Sequence, residues 1–128
     1  MNKLIDDIKN SSVGPAAKSP DGITCRYRFA ADFIGFSGHF PGYPILPAVV
    51  QLITAQSLIE EQKGYELEFS SVQNAKFLHE IKPGEELEIT CKDFIVKEMP
   101  GSKVQIRSGD KIKASFYLTF QRKGEKSA

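Results

Sequence analysis

The 128-residue sequence is poor in cysteine, and its two, Cys25 and Cys91, lie far apart and outside any CxxC spacing. That argues against a disulfide framework or a structural zinc site, and reads instead as a pair of reduced core thiols. An excess of charge of one sign is also missing: 17 Lys and Arg stand against 16 Asp and Glu, for a net charge of +1. No global field draws the chain to nucleic acid or to a membrane, so neither is expected as a partner. No segment approaches the roughly 20 consecutive apolar residues that span a bilayer. The N-terminal MNKLIDDIKNSS carries acids where a secretion signal needs an unbroken apolar stretch, so a cytoplasmic location is expected. Internal repeats, low-complexity segments, a nucleophile elbow, a phosphate loop and clustered metal ligands are absent from the sequence, so neither cofactor nor metal is expected.

The length suits a single domain spanning residues 1–128. Residues 1–22 read as a short amphipathic helix, with Leu4, Ile5 and Ile8 on one side, followed by a Ser-, Pro- and Gly-rich loop. In ITCRYRF, Ile23, Cys25, Tyr27 and Phe29 alternate with polar residues, the period of a strand with one buried face. The period changes in AVVQLITAQSLIEEQK, residues 48–63, which is helical, with Pro47 at its first turn and Gly64 as its stop. Val49, Leu52, Ile53, Ala55, Gln56 and Ile59 cover much of its circumference, so its first three turns are expected to be enclosed, with Glu60 and Glu61 solvated at the wet end.

The second half reads as strands. ELEFSSVQNAKFLHEI is followed by a KPGE turn, and ELEITCKDFIVKE sends Leu87, Ile89 and Cys91 inward before Phe94 and Val96 change parity, predicting a bulge near Lys92 and Asp93. MPGS is expected to turn into KVQIRS, GD marks a tight hairpin, and KIKASFYLTF places Ile112, Ala114, Phe116, Leu118 and Phe120 on one face. Residues 121–128 read as a polar tail. One long apolar helix followed by antiparallel strands implies an α+β fold in which a sheet curls around a central helix. Five strands in such a sheet leave an exposed edge, which edge-to-edge dimerisation would cover.

The chemistry concentrates in FSGHFPGYPILPAVVQL. Pro41, Pro44 and Pro47 stiffen an extended run that Gly42 allows to turn, and the run enters a helix whose first amides, near Ala48 and Val49, lack an intrahelical acceptor. A histidine upstream, His39, and free amides over one apolar tunnel would supply a base and a carbonyl-polarising dipole, as proton removal beside a thioester carbonyl requires. His79 reads as a surface or interface residue, Asp32 as a loop-fixing side chain, and Arg26, Arg28, Lys76, Lys82, Lys103 and Arg107 as a scattered basic rim.

GHFPGYPILPAVVQL resembles the signature of the hotdog-fold 3-hydroxyacyl-acyl carrier protein dehydratases, roughly HFPGxPxxPGVxxxE/D. His39, Phe40, Pro41, Gly42, Pro44, Pro47 and Val49 match in register, and NAKFLHEIKPGEELEI is similar to a second block of that family. The resemblance covers residues 23–120. It implies a sheet wrapped around a central helix, paired as a dimer, with His39 acting on the substrate's alpha proton and the Ala48 amide polarising its carbonyl. It implies a substrate site lined by Phe40, Gly42, Pro47, Ala48, Val49, Leu52, Ile53 and Gln56. The implied partners are an acyl carrier protein or coenzyme A thioester, the carrier protein itself, and a second hotdog chain in a homodimer, a higher homo-oligomer or a heterodimer. The family's helix acid has no counterpart: Ile53 occupies its position, and no acid lies between Asp32 and Glu60. Three other readings stay open beside a dehydratase: a half-site subunit, a non-catalytic acyl-binding module, and an acyl thioesterase.

Overall fold

The computed structural model describes residues 3–36, 42 and 44–124. Helix α1 (Lys3–Asn10) buries Ile8 completely, with Leu4 packed beside it. Strands β1 (Ala17–Ser19) and β2 (Gly22–Arg28) form a hairpin, so the loop expected before the first strand contains a short edge strand, and the sheet has six strands among the described residues. Helix α2 (Ala48–Lys63) follows, and then β3 (Leu67–Phe77), β4 (Glu86–Val96), β5 (Met99–Ser108) and β6 (Lys111–Arg122). All pairings are antiparallel, in the order β1-β2-β4-β5-β6-β3.

The period of two in β2 has the expected outcome: Ile23, Cys25 and Tyr27 point into the core, and Phe29 continues the series. Leu87, Ile89 and Cys91 of β4, Val104 and Ile106 of β5, and Ala114, Phe116, Leu118 and Phe120 of β6 join them on one concave face. The two edges differ in how they are protected. β1 is three residues long and ends before Pro20, whereas β3 is eleven residues long and, among the described residues, pairs on one side only, with β6.

Three expectations about the strands are corrected. The register of β4 against β5 runs unbroken through Lys92↔Lys103 and Asp93↔Ser102, with no bulge there. The parity change arises instead because the far end of β4 projects past the core, leaving Phe94 and Ile95 exposed on opposite faces. The irregularities lie between Phe69 and Ser71, between Gln73 and Lys76, and at Ile106/Arg107. The β4–β5 turn is Lys97–Glu98, both at positive φ, and Met99 and Pro100 already belong to β5. Gln121 and Arg122, read as tail, are paired with Glu68 and Leu67.

Helix α2 begins and ends where the sequence places it, and Gly64 closes it at φ 82° with its amide on the Glu60 carbonyl. Its enclosure is one-sided. Val50, Gln51, Thr54, Ala55, Leu58 and Ile59 are buried, while Val49 is 58% exposed and Leu52, Ile53 and Gln56 are only half-buried. Glu60 is not simply solvated, since its carboxylate accepts the Leu67 amide at 2.8 Å and fixes the start of β3.

Burial pushes both thiols above their ordinary range, Cys91 up to about 12. At pH 8 a thiol of pKa 12 is only about 10⁻⁴ thiolate, the form that reacts. Native protein should therefore resist alkylation by iodoacetamide at that pH and react fully once unfolded, as read by mass spectrometry. Rapid modification of the folded chain would contradict the buried placement.

Candidate active site

His39 and Phe40 lie outside the described residues, but the chain on both sides of them is fixed. Upstream, Phe29 and Phe33 meet at 4.5 Å between ring centroids, and Phe33 meets Phe36 edge-on at 5.8 Å. Phe36, the last described residue before the segment, is itself buried. Downstream, Gly42 takes φ 83°, the left-handed geometry expected of the turn in the motif.

Past the turn, the Leu46 amide donates to the Ile81 carbonyl at 2.8 Å, tying the entry of α2 to the connection between β3 and β4. Pro47 is the N-cap, with extended backbone and no side-chain hydrogen bond into the helix. The first intrahelical bonds run from Val50 and Gln51 to the Pro47 carbonyl at 3.1 and 3.2 Å. The amides of Ala48 and Val49 thus precede the ladder, and both residues are exposed at the helix mouth. Such amides stabilise negative charge on an oxygen placed before them.

Gln51 braces the same turn. Its Nε2 donates to the Leu46 carbonyl at 3.1 Å, and its buried Oε1 has no partner among the described residues. One turn on, the fully buried Thr54 hydroxyl returns its hydrogen bond to the Val50 carbonyl at 2.7 Å. Of the expected lining residues, Val49, Leu52, Ile53 and Gln56 share one face of the helix, exposed at Val49 and half-buried at the other three, with Leu52 and Ile53 against the edge of the core. Pro47 and Ala48 stand at its N-terminal end. Val72 and Phe77 of β3, and Leu78 just after it, are large apolar side chains also left exposed. Large apolar side chains are thus exposed both at the start of α2 and along β3.

The basic rim is dispersed. Arg26 and Arg28 both face Glu86, at 4.0 and 3.2 Å, while Lys103 and Arg107 line an open groove of about 270 Å³ on the outer sheet face with Lys92, Thr90 and Gln105. His79 is exposed, as expected of a surface residue. Among the described residues no group of three or more His, Cys, Asp or Glu side chains is placed to hold a metal ion, and no helix is long and apolar enough to cross a membrane.

The model of the ApeI-like family, described as ApeI dehydratase, matches residues 16–123. The chain belongs to this family. Among curated proteins, the 3-hydroxyacyl-[acyl-carrier-protein] dehydratase FabZ of Bacillus subtilis is 30% identical over 93 residues, 67% of this chain and 62% of the relative. The chain thus matches about three fifths of that relative's length. The FabZ of Bacillus cereus strain AH820 is 27% identical over 125 residues, 91% of this chain and 83% of the relative. Among solved structures, the dehydratase heterocomplex ApeI:P from Xenorhabdus doucetiae superposes with a TM-score of 0.72 at 19% identity, covering 87% of this chain and 96% of that one. The E. coli PaaI protein from the phenylacetic acid degradation operon superposes at 0.66 and 14% identity, covering 94% and 90%. These likenesses show the hotdog fold, with the sheet wrapped on α2.

Two residues of this ApeI-like chain that the motif does not reveal hold the β3–β4 connection, on which the Leu46 amide rests. Lys113 is nine-tenths buried, and its ammonium reaches Glu85 at 2.9 Å and the Glu80 carbonyl at 2.9 Å. Glu85 also accepts the Lys82 amide at 2.6 Å. Burial works against ionisation of Glu85, but the Lys82 amide and the Lys113 side chain outweigh it and hold the carboxyl below its usual range. The sign follows from linkage: a lowered folded value adds stability above the ordinary carboxylate range, and that stability is lost as pH falls through the lowered value. Urea midpoints measured from about pH 7 down to about pH 3 should show Glu85→Gln less stable at neutral pH, with the gap to wild type closing in acid. A gap that stays constant with pH would sink this account.

Proposed function

We propose that this protein dehydrates 3-hydroxyacyl thioesters carried on acyl carrier protein or coenzyme A, with His39 as the base. The observation that carries this reading is the mouth of α2, where Pro47 leaves the Ala48 and Val49 amides uncapped directly behind the His39 motif. In the reaction His39 removes the proton alpha to the thioester carbonyl, and the Ala48 amide stabilises the negative charge that develops on the carbonyl oxygen. The carbon–oxygen bond at C3 then breaks, a double bond forms between C2 and C3, and the departing hydroxyl takes up a proton and leaves as water. Phe40, Gly42, Val49, Leu52, Ile53 and Gln56 form the acyl channel. Because Ile53 cannot donate that last proton, it comes from water held near Gln56 or from a group brought by a second chain.

The second chain has a place to sit. The unpaired edge of β3 and the uncovered face of α2 fit a homodimer or a heterodimer with another hotdog chain, and Ile53 lies on that face. That the similar ApeI:P structure is a dehydratase heterocomplex supports the heterodimer. In that arrangement this chain supplies the base and amide, and its partner the acid. A homodimer with full activity excludes the half-site reading; activity that appears only on mixing with a homologous hotdog chain supports it.

The test is turnover of 3-hydroxyacyl-acyl carrier protein, followed as formation of the conjugated enoyl thioester. His39→Ala should lower kcat by about 10²-fold or more, the range for loss of a general base. Unchanged turnover in the variant, or a wild-type protein inert alone and with every hotdog partner, removes the catalytic claim. Ile53→Glu places a carboxylate on the α2 face and should raise the turnover of the homodimer, by up to about 10²-fold if geometry is otherwise intact. No gain in a folded Ile53→Glu dimer would mean that the missing acid is not what limits the site.

A further inference from the structure

Lys113 is an unusual residue for its position. In β6 the pairing passes from Ile106↔Ala114 to Arg107↔Ile112, so Lys113 is the extra residue of a bulge and faces no residue of β5. A bulge re-aims its side chain, and here it turns a lysine into a site about nine-tenths buried. A buried ammonium is costly unless it is paired and hydrogen-bonded, and Lys113 is both, through Glu85 and the Glu80 carbonyl. Its backbone joins in, since the Lys113 carbonyl accepts the amides of Leu78 and His79 at 2.8 and 3.2 Å. One residue therefore grips the 78–85 connection near both of its ends.

That connection carries Ile81, which is 1% exposed and whose carbonyl receives the Leu46 amide. Leu46 in turn offers its carbonyl to Gln51 Nε2. A continuous path of hydrogen bonds and covalent chain thus runs from Lys113 through residues 80–85 to Leu46 and the first turn of α2.

We propose that Lys113, through its ion pair with Glu85, is a positioning residue that holds the helix mouth in register for the thioester carbonyl. The proposal rests on the functional reading above for its catalytic consequence, but its structural part stands without it. Lys113 acts at second hand, and its removal should change the placement of the amides while leaving substrate contacts intact. Misplacing a reacting group by about 1 Å costs on the order of 10²-fold in rate, so a partial loosening should cost about tenfold in kcat with KM nearly unchanged.

The test uses the full chain with Lys113→Met, which keeps the aliphatic stem and removes the charge, and Lys113→Arg, which keeps the charge. Hydrogen exchange of the Leu46 amide should speed up about tenfold or more in Lys113→Met while amides of the β4–β5 ladder keep their protection. Lys113→Arg should restore both Leu46 protection and kcat. If the wild-type chain proves inactive, the exchange measurement still decides the positioning claim, so the two readings fail separately. Should Lys113→Met not fold, Glu85→Gln provides the same two readouts. Wild-type Leu46 protection in either folded variant overturns the proposal, as does global unfolding of both, because the pair would then support the whole fold rather than the helix mouth.

Discussion

The concave face of the sheet has to be covered, and α2 is the element long enough to cover it. Apolar side chains from β2, β4, β5 and β6 converge on that face, and Val50, Ala55, Leu58 and Ile59 close against them. Each fully buried aliphatic side chain of this size contributes about 1.5–3 kcal/mol, so the axis and rotation of α2 are set by the core before any functional group is considered. Everything at the helix mouth inherits that placement. The core fixes which stripe of α2 faces inward, and it thereby leaves Val49 exposed and Leu52, Ile53 and Gln56 half-buried at the margin, with Leu52 and Ile53 packed against the edge of the core.

A helix held only along its length can still fray at its first turn, where the amides have no intrahelical acceptors. The proline cap offers no side chain to that turn, and the restraint comes from outside the helix: Leu46 on Ile81, Gln51 on Leu46, and the aromatic run ending at Phe36. Anchoring the chain on both flanks and leaving the first amides open is a preorganised arrangement. Charge appearing on an oxygen there meets dipoles that need no rearrangement.

The elements set by simple periodicity were readable in the sequence. The helix between Pro47 and Gly64 has its expected bounds, because a proline start and a glycine stop bracket an apolar run. The alternation in β2, in the first half of β4 and in β6 reports a face that is buried along its length. The misreadings share a cause, since each depends on what lies beyond the segment itself. Phe94 and Val96 look like core residues that slipped register, and only the exposure of Phe94 and Ile95 at the far end of β4 shows that the strand outruns its cover. Lys97–Glu98 carries no Gly or Asn to mark a turn, so the nearby Pro100–Gly101 drew the expectation instead. The one-sided enclosure of α2 could not be read from periodicity, because an apolar residue left half-exposed looks the same in the sequence as one that is fully buried. Lys113 and Glu85 were hidden for a similar reason: in KIKASF the lysine occupies the polar parity, and only the bulge turns it inward.

The residue at position 53 can be judged by what its surroundings favour. A carboxylate on a half-buried apolar helix face must be desolvated when a second chain covers it, which raises its pKa and costs stability unless donors are waiting. A dehydratase site accepts that cost because a poised acid is what the chemistry needs. Isoleucine reverses the balance: covering it gains roughly 25 cal/mol for each Å² removed from water. Ile53 thus makes the face of α2 a better packing surface and a poorer proton donor at once. If the proposed function holds, a symmetric pair of these chains would gain in association and lack the acid twice over. A mixed pair would need one desolvated carboxylate, carried by the other chain and aimed at this chain's base. On that proposal, isoleucine at position 53 in a sequence that keeps the His39 motif fits a division of labour between unlike subunits better than two half-equipped copies.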